Sequence, residues 1–298
     1  MRLRLLIGLS ALSLLALLPA RAGGQAVVLR YPMQEASGDQ RYAYYWQLLQ
    51  AALDATEKDY GKAVLQPSTA PMNASRALVA LQSGAIQVLA RVTSQQLEND
   101  LVPIRIPLDK GLTGYRLFLV NAERQPELDK VGTLKQLGRF SIGQESRWVD
   151  VEILRAAGLT VVTGDTYTGL FGMLGSGRFD LLSRGVDEIA AEQAMYQHVA
   201  PRMVVERRLL LHYPLPRYYF TASSKAGRKL ASRIAVGLER LRESGEFERR
   251  YRAYRAVMLK PLRLQGRRLL EISNPQLPLA TPLQDKSLWD DLSDLTRG

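Results

Sequence analysis

Short apolar runs and helical apolar repeats alternate along the middle of the chain. The runs cover residues 140–142, 160–162 and 179–182, each short enough for a β-strand. Between them, apolar residues recur at helical spacing from Val149 to Ala157 and from Tyr167 to Leu174, and Gly158 and Gly177 mark the ends of these helices. Strands that alternate with helices predict a parallel sheet, where ligands bind at the carboxyl ends of strands and at helix N-termini.

The same alternation continues on both sides of this central unit. Before it, the pattern predicts strands at residues 27–31, 64–66, 86–90 and 115–120. After it, a strand is predicted at residues 209–211, and a helix that begins near Lys225 is interrupted at Ser244 and Gly245. The glycine-punctuated residues 111–114 are expected to form the first crossover between two domains. The sequence therefore predicts an α/β protein with two domains.

The N-terminus has the pattern of a cleaved export signal. Arg2 and Arg4 precede an apolar run at residues 5–18, and Ala20-Arg21-Ala22 has the small-x-small form of a cleavage site. A membrane anchor needs about 20 apolar residues, and this run is shorter. We expect residues 1–22 to be a signal peptide, and the mature chain to be soluble and, in a Gram-negative cell, periplasmic. The chain contains no cysteine, so neither a disulfide nor a lipid-carrying thiol is expected.

The positive charge is concentrated in one part of the chain. The formal net charge is +11 over all 298 residues, and residues 206–268 contain 17 Lys or Arg against 5 Asp or Glu. Export argues against a nucleic-acid partner. A basic surface of this kind suits either solvation or an acidic partner.

Sequence signatures of catalysis are missing. The chain has no GxSxG, no HExxH and no phosphate-binding glycine loop, and its two histidines, His198 and His212, stand alone. We therefore expect no cofactor, no metal and no enzymatic activity. The remaining enzymatic alternative is a single carboxylate, Glu98 or Glu145, that acts as a general acid.

Five stretches of the chain, in order, resemble elements of one known family. They are LVALQSGAIQVLARVTSQQ, GLTGYRLFLV, FSIGQESRWVDVEILRAAG, LFGMLGSGRFDLL and GLERLRESGEFERRY. Together they are similar to the type 2 periplasmic solute-binding proteins of the amino-acid-binding kind, known as bacterial extracellular solute-binding family 3. The resemblance covers roughly Val27 to Tyr254 and points to no characterised subgroup.

The resemblance implies a two-lobed fold, each lobe a mixed sheet flanked by helices, joined by two crossover strands. On this basis residues 23–113 form the first part of lobe 1, 114–208 form lobe 2, and 209–260 return to lobe 1 with its closing helices. The tail at residues 261–298 contains Pro275, Pro278 and Pro282 and is therefore expected to form an extended C-terminal strap, with Trp289 as candidate anchor. Family members bind a small solute between the lobes, close over it by a hinge motion and present it to a membrane permease. We expect a monomer whose partners are a small ligand and a permease of the ABC type.

The resemblance also places candidate ligand-binding residues in an interlobe cleft. Residues 91–96 would line it from lobe 1, and residues 143–147 with Arg184 from lobe 2. The backbone N–H groups of residues 146–148 are also expected to start a helix and to lack intrahelical partners, which favours an anion there. The candidates are Arg76, Arg91, Thr93, Gln96, Glu145, Ser146, Arg147, Trp148 and Arg184.

Two departures from the family pattern change the expected ligand. Gln96 stands where amino-acid binders have the arginine that grips the ligand carboxylate, and Arg184 and Gly185 lie near the position of the acid that receives the ligand ammonium group, with Asp187 slightly further on. An anionic solute without an ammonium group therefore fits better than an ordinary amino acid.

Two further questions stay open in the sequence. A periplasmic sensor or adaptor that docks on a receptor is the alternative to transport. Because the fold that the chain resembles also hosts a few dehydratases, the resemblance implies a less favoured alternative, a dehydratase that uses Glu98 or Glu145 in the cleft. The aromatic cluster of Tyr42, Tyr44, Tyr45 and Trp46 could line the ligand pocket or belong to the core.

Overall fold

The computed structural model describes residues 26–33 and 42–296. The predicted signal peptide lies outside these residues. Within them, no helix combines the length and apolar character needed to cross a membrane.

The described residues contain twelve strands and twelve α-helices. The strands are β1 (Val27–Met33), β2 (Ala63–Pro71), β3 (Leu89–Val92), β4 (Leu101–Ile104), β5 (Tyr115–Asn121), β6 (Ser141–Glu145), β7 (Thr160–Gly164), β8 (Leu181–Gly185), β9 (Met203–Val205), β10 (Leu209–His212), β11 (Arg217–Ala222) and β12 (Arg268–Glu271). The helices are α1 (Ala43–Asp54), α2 (Glu57–Tyr60), α3 (Ala74–Gln82), α4 (Gln95–Asp100), α5 (Gln125–Leu128), α6 (Leu134–Leu137), α7 (Asp150–Ala156), α8 (Tyr167–Gly175), α9 (Ile189–Tyr196), α10 (Lys225–Glu243), α11 (Glu246–Leu259) and α12 (Ser293–Thr296).

The larger lobe is built on a mixed sheet of seven strands. Its order is β12-β10-β5-β8-β6-β7, and β9 also pairs with β5. Strands β6, β7 and β8 are parallel to one another, which confirms the parallel unit predicted from the alternation of strands and helices. Strand β5 is antiparallel to β8 and is buried along its whole length. The carboxyl ends of β6 and β8 therefore lie at one edge of this sheet.

The smaller lobe contains two small sheets and the longest helices. Strands β1 and β2 pair in parallel, and β11 lies between β3 and β4 with antiparallel pairing to both. Helix α10 buries Ala231, Ile234 and Leu238 and packs on α1 at Gly237, where an added Cβ would lie 2.2 Å from the carbonyl oxygen of Ala52. This close contact fixes the helical layer of the smaller lobe.

Three connections between secondary-structure elements lead from one lobe to the other. Residues 105–114 connect β4 to β5 and residues 213–216 connect β10 to β11, and we call these two the crossovers; residues 260–267 connect α11 to β12. The sequence places the return to the smaller lobe at residue 209, but β10 pairs with β5 and β12 in the large sheet, so the chain returns only at Arg217. Strand β12, which belongs to the predicted extended strap, likewise adds an edge to the large sheet. The other domain boundaries stay predictions.

Candidate functional site

The carboxyl end of β6 in the larger lobe meets the start of α3 in the smaller lobe, and we call the region between them the groove. Arg147, two residues after β6, donates from Nη1 to the hydroxyl of Ser75 in α3 at 3.3 Å. The carboxylate of Glu145 orients Arg147, since it accepts from Arg147 Nε at 2.7 Å and from the Arg147 backbone N–H at 3.0 Å. Glu145 is buried, whereas the Arg147 side chain is 54% exposed. A partly exposed cation thus spans the groove.

Arg91 provides a second cation, from the end of β3. Its Nη1 donates to the carbonyl oxygen of Ala74 at 3.2 Å, and within the described part of the chain it forms no ion pair with a carboxylate. Loss of water is the largest effect on the pKa of Arg91 and lowers it, Tyr42 and Glu145 act to raise it, and the positive charges of Arg217 and Arg147 act to lower it. Arg91 is therefore a partly desolvated cation without a described counter-ion.

Arg217, at the start of β11, is a buried cation beside the groove. Its guanidinium lies 5.2 Å from the ring centre of Tyr42 and 5.0 Å from that of Tyr45, and Nη1 donates to the Tyr42 hydroxyl at 3.2 Å. Its nearest carboxylates, Asp109 and Glu188, are both 3.9 Å away. Arg217 is not among the site residues predicted from the sequence. The sequence indicates it only as an arginine at the start of an otherwise apolar and aromatic strand.

Behind the groove, five buried side chains form what we call the interlobe acid cluster: Asp109, Thr113, Asp187, Tyr45 and Tyr254. The Thr113 hydroxyl is 2.5 Å from Asp109 Oδ2 and 3.0 Å from Asp187 Oδ2, and the Tyr254 hydroxyl donates to Asp187 Oδ2 at 3.0 Å. The Tyr45 hydroxyl lies 3.3 and 3.4 Å from the same two carboxylates. Burial raises the pKa of Asp187 to about 6, with further contributions from the negative charges of Glu188 and Asp109.

The predicted lobe 1 residues divide between the groove and other roles. Thr93 is buried, and its hydroxyl donates to Glu98 at 2.6 Å, while Glu98 in turn pairs with Arg105. Gln96 is exposed on α4 and donates to Asp100. Arg76 is exposed on α3 next to Ser75. Thr93 and Gln96 are thus engaged by carboxylates of the same lobe, whereas the described hydrogen-bond partner of Arg91 is a carbonyl oxygen.

The predicted free backbone N–H groups after β6 are all occupied. Helix α7 begins at Asp150, four residues later than expected. The N–H of Ser146 donates to Gly164, that of Arg147 to the Glu145 carboxylate, and that of Trp148 to the Glu145 carbonyl oxygen. The expectation that these groups await an anion is therefore wrong, because the turn that precedes the helix already uses them.

Arg184 lies in a buried ion-pair network. Its Nε and Nη2 donate to the two carboxylate oxygens of Glu192 at 2.6 and 2.7 Å, and Nη2 lies 2.9 Å from Glu188. The Trp148 ring packs 4.4 Å from the guanidinium and Tyr167 lies 5.7 Å away. Both Arg184 and Glu192 are buried. Two carboxylates balance the charge of Arg184, and Trp148 covers it by a cation–π contact.

Comparison with solved structures identifies the architecture. An ancestral arginine-binding protein bound to glutamine is 15% identical, with a TM-score of 0.54 over 77% of this chain and 98% of that chain. An arginine-specific periplasmic binding protein of Salmonella typhimurium is 12% identical, with a TM-score of 0.53 over 76% and 99%. An ancestral amino-acid-binding protein, a precursor of cyclohexadienyl dehydratase, is 14% identical, with a TM-score of 0.51 over 76% and 95%. No protein-family model and no curated protein matches the sequence.

The chain has the type 2 periplasmic-binding-protein fold. This is the fold that the five sequence stretches predict. Identities of 12–15% show the fold alone and do not transfer a ligand.

In this binding-protein fold, the aromatic cluster after the first strand belongs mostly to the core. Tyr45 is buried, Tyr44 stacks on Tyr254 with ring centres 4.2 Å apart, and Trp46 stacks on Tyr31 at 4.4 Å. Tyr42 differs, because it supports Arg217 at the edge of the groove.

The other residues considered for catalysis already have partners. Glu98 and Glu145 are each held by an arginine. His212 stacks on Tyr115, and burial lowers its pKa. The described residues contain no group of three or more potential metal ligands. A cavity of about 360 Å³ lies at the opposite edge of the large sheet, where Arg124 pairs with Asp180 and Arg202 with Glu123.

Proposed function

We propose that the protein binds a small anionic solute without an ammonium group in the groove between its lobes, which close over the solute by a hinge motion. The observation that carries this proposal is Arg91, a desolvated guanidinium with no described counter-ion. A buried or half-buried cation is costly unless an anion or a hydrogen-bonding ligand compensates it. A ligand carboxylate beside Arg91 supplies that compensation.

The acids around the groove argue against an ammonium group on the ligand. Glu145 is held by Arg147, Glu188 by Arg184, and Asp187 by the hydroxyls of Tyr254 and Thr113. An ammonium group would have to displace one of these partners. A dicarboxylate or a keto acid makes no such demand.

Arg147 supplies the link between binding and closure. Its contact with Ser75 is made across the groove, from one lobe to the other. A solute that contacts Arg91 in the smaller lobe and Arg147 in the larger lobe interacts better with the closed arrangement than with an open one. Such differential affinity is what shifts a hinge equilibrium.

We further propose that the mature protein works in the periplasm as a monomer and delivers its solute to an ABC-type permease. The three solved relatives described above are binding proteins for amino acids, which supports a role in binding. The basic surface carries less free charge than its composition indicates, since Arg249 and Arg250 both pair with Glu246, and Arg252 pairs with Glu248. Receptor docking through this surface therefore remains the alternative function.

A thermal-shift screen followed by calorimetry tests the proposal. Residues 23–298 are screened against dicarboxylates, keto acids, aromatic acids and zwitterionic amino acids, because a solute that binds only the native state raises the melting temperature. Arg91→Gln should weaken binding of the best anion about 10- to 100-fold, the value of a hydrogen bond to a charged group. The control Arg139→Gln changes an exposed arginine of the larger lobe and should leave affinity unchanged. Tight binding of an amino acid that is indifferent to Arg91→Gln would contradict the proposal.

A further inference from the structure

The C-terminal segment after β12, residues 272–296, runs over both crossovers between the lobes. We call it the C-terminal strap. It leaves the edge of the large sheet, where the N–H of Ile272 donates to the carbonyl oxygen of His212 at 3.0 Å. The Asn274 side chain then donates to the carbonyl oxygen of Pro214, in the second crossover, at 2.8 Å. The backbone carbonyl oxygen of Gln276 next accepts from the N–H of Gln95 at 3.1 Å. Gln95 is the first residue of α4, in the smaller lobe.

The strap then reaches the two residues of the first crossover that have positive φ angles. Lys110 and Gly111 have φ angles of 50° and 76°, and the left-handed conformation is uncommon for a residue with a side chain. The N–H of Asp290 donates to the carbonyl oxygen of Lys110 at 2.8 Å. The Trp289 ring lies directly on Gly111, where an added Cβ would come within 2.6 Å of the ring. The strap thus covers the residues whose backbone angles a hinge motion would change.

Asp290 anchors this end of the strap to the smaller lobe. Its carboxylate accepts from the Tyr251 hydroxyl and from Arg255 Nε, both at 2.5 Å and both from α11. Its carbonyl oxygen accepts from the Tyr115 hydroxyl at the start of β5. The neighbouring Leu288 and Leu292 are buried. This end of the strap is therefore packed and charge-paired, and it is not a loose tail.

We infer that the C-terminal strap is a hinge clamp, which restrains the opening of the two lobes by binding both crossovers and both lobes at once. A hinge opens through backbone rotation at a few residues of the connecting segments. Rotation at Lys110 and Gly111 or in residues 213–216 would break the strap contacts there or pull the strap away from α11. The inference rests on the proposed function to the extent that both involve a relative motion of the lobes.

Spin-label distances between the lobes test the clamp. The chain has no cysteine, so the pair Gln82→Cys in α3 and Ala156→Cys in α7 labels the two lobes selectively at exposed sites. The clamp is weakened by Trp289→Ala, which removes the ring from Gly111, or by Asp290→Asn, which keeps the shape but removes the charge that Arg255 pairs with. The matched control is Leu279→Ala, a change in the same strap at a fully exposed side chain.

Measured without any solute, both clamp variants should broaden the distance distribution towards longer distances, while Leu279→Ala should match the unmutated labelled protein. Distributions that stay as narrow as the control in both variants would overturn the clamp. Circular dichroism confirms that the samples are folded, and the isosteric Asp290→Asn decides the question if Trp289→Ala does not fold. Adding the best anion to the same labelled protein tests the proposed function separately, because failure to bind leaves the solute-free comparison intact.

Discussion

The two lobes meet in two places of opposite character. In the groove, Arg147 reaches a single hydroxyl of Ser75, and Arg91 has no described counter-ion. In the interlobe acid cluster, Asp109 and Asp187 are buried and shared among the hydroxyls of Thr113, Tyr45 and Tyr254. The first contact is sparse and partly exposed, whereas the second is dense and buried.

We assign the interlobe acid cluster to the pivot, the region about which the lobes rotate. We assign the groove to the rim, the region where the lobes separate. Asp109 and Thr113 lie in the first crossover itself, on either side of Lys110 and Gly111, so this network is located at the segment about which the lobes would rotate. Breaking a buried polar network costs far more than breaking an exposed hydrogen bond. We therefore expect the acid cluster to set stability and the groove to set affinity, and the following variants test that division.

Removal of Arg217, the buried cation next to Asp109, should have the largest effect on stability. Arg217→Met leaves Asp109 and Glu188 without the guanidinium that now lies 3.9 Å from each. Breaking a buried ion pair on one side typically costs 3–5 kcal/mol, and we expect about 3 kcal/mol at pH 8 because these distances are long. Urea denaturation measures the loss, with exposed Arg139→Met as the control. A loss below about 1 kcal/mol would mean that Arg217 belongs to the groove instead of the pivot.

The pH dependence of stability should reveal Asp187. Its pKa is raised from 3.8 to about 6 in the folded protein, so between these values the folded state holds a proton that the unfolded chain has lost. The stabilisation that this bound proton gives the folded state is therefore fully present below about pH 4. It is lost as the pH rises to about 6, and the loss is at most about 3 kcal/mol. Other carboxyl groups titrate nearby, so the unfolding free energy of Asp187→Asn is subtracted at each pH. A flat difference between pH 4 and 6 would contradict the assignment.

Local features of the fold were predictable because they depend on neighbouring residues. Gly158 and Gly177 have φ angles of 76° and 71° at the ends of their helices, as their positions predict. The Thr166 hydroxyl caps α8 by accepting from the N–H of Gly169. Periodicity and glycine placement thus determined the order of the central elements.

Partners of buried charges were not predictable from one sequence. Arg184 was expected to line the cleft, but Glu188 and Glu192, just before and within α9, pair with it. Asp150, the first residue of α7, pairs with the buried Arg116 of β5, a contact between distant positions. Pairing of this kind is set by tertiary structure, and β12 escaped prediction for the same reason.

Loss of Arg147, the partly exposed cation of the groove, should change the affinity for the solute more than the stability of the fold. The Arg147 side chain is 54% exposed, so its pair with Glu145 is screened by water, and Arg147→Gln should cost about 1 kcal/mol or less of unfolding free energy. Affinity for the best anion should fall about 10-fold, since the variant loses a charged contact across the groove. Calorimetry and urea denaturation of the same sample measure both quantities. A large stability loss with unchanged affinity would reverse the proposed division between rim and pivot.

The smallest effect is expected from Ser75→Ala. Its hydroxyl makes one exposed hydrogen bond at 3.3 Å, so the unfolding free energy should change by less than about 0.5 kcal/mol. The closed state loses one interlobe contact, which should weaken solute binding about two- to fivefold. The dissociation rate should carry this change, because the contact exists only after closure. In the Arg147→Gln background the same substitution should have no further effect, and additive losses in the double variant would show that the two residues do not act through their mutual contact.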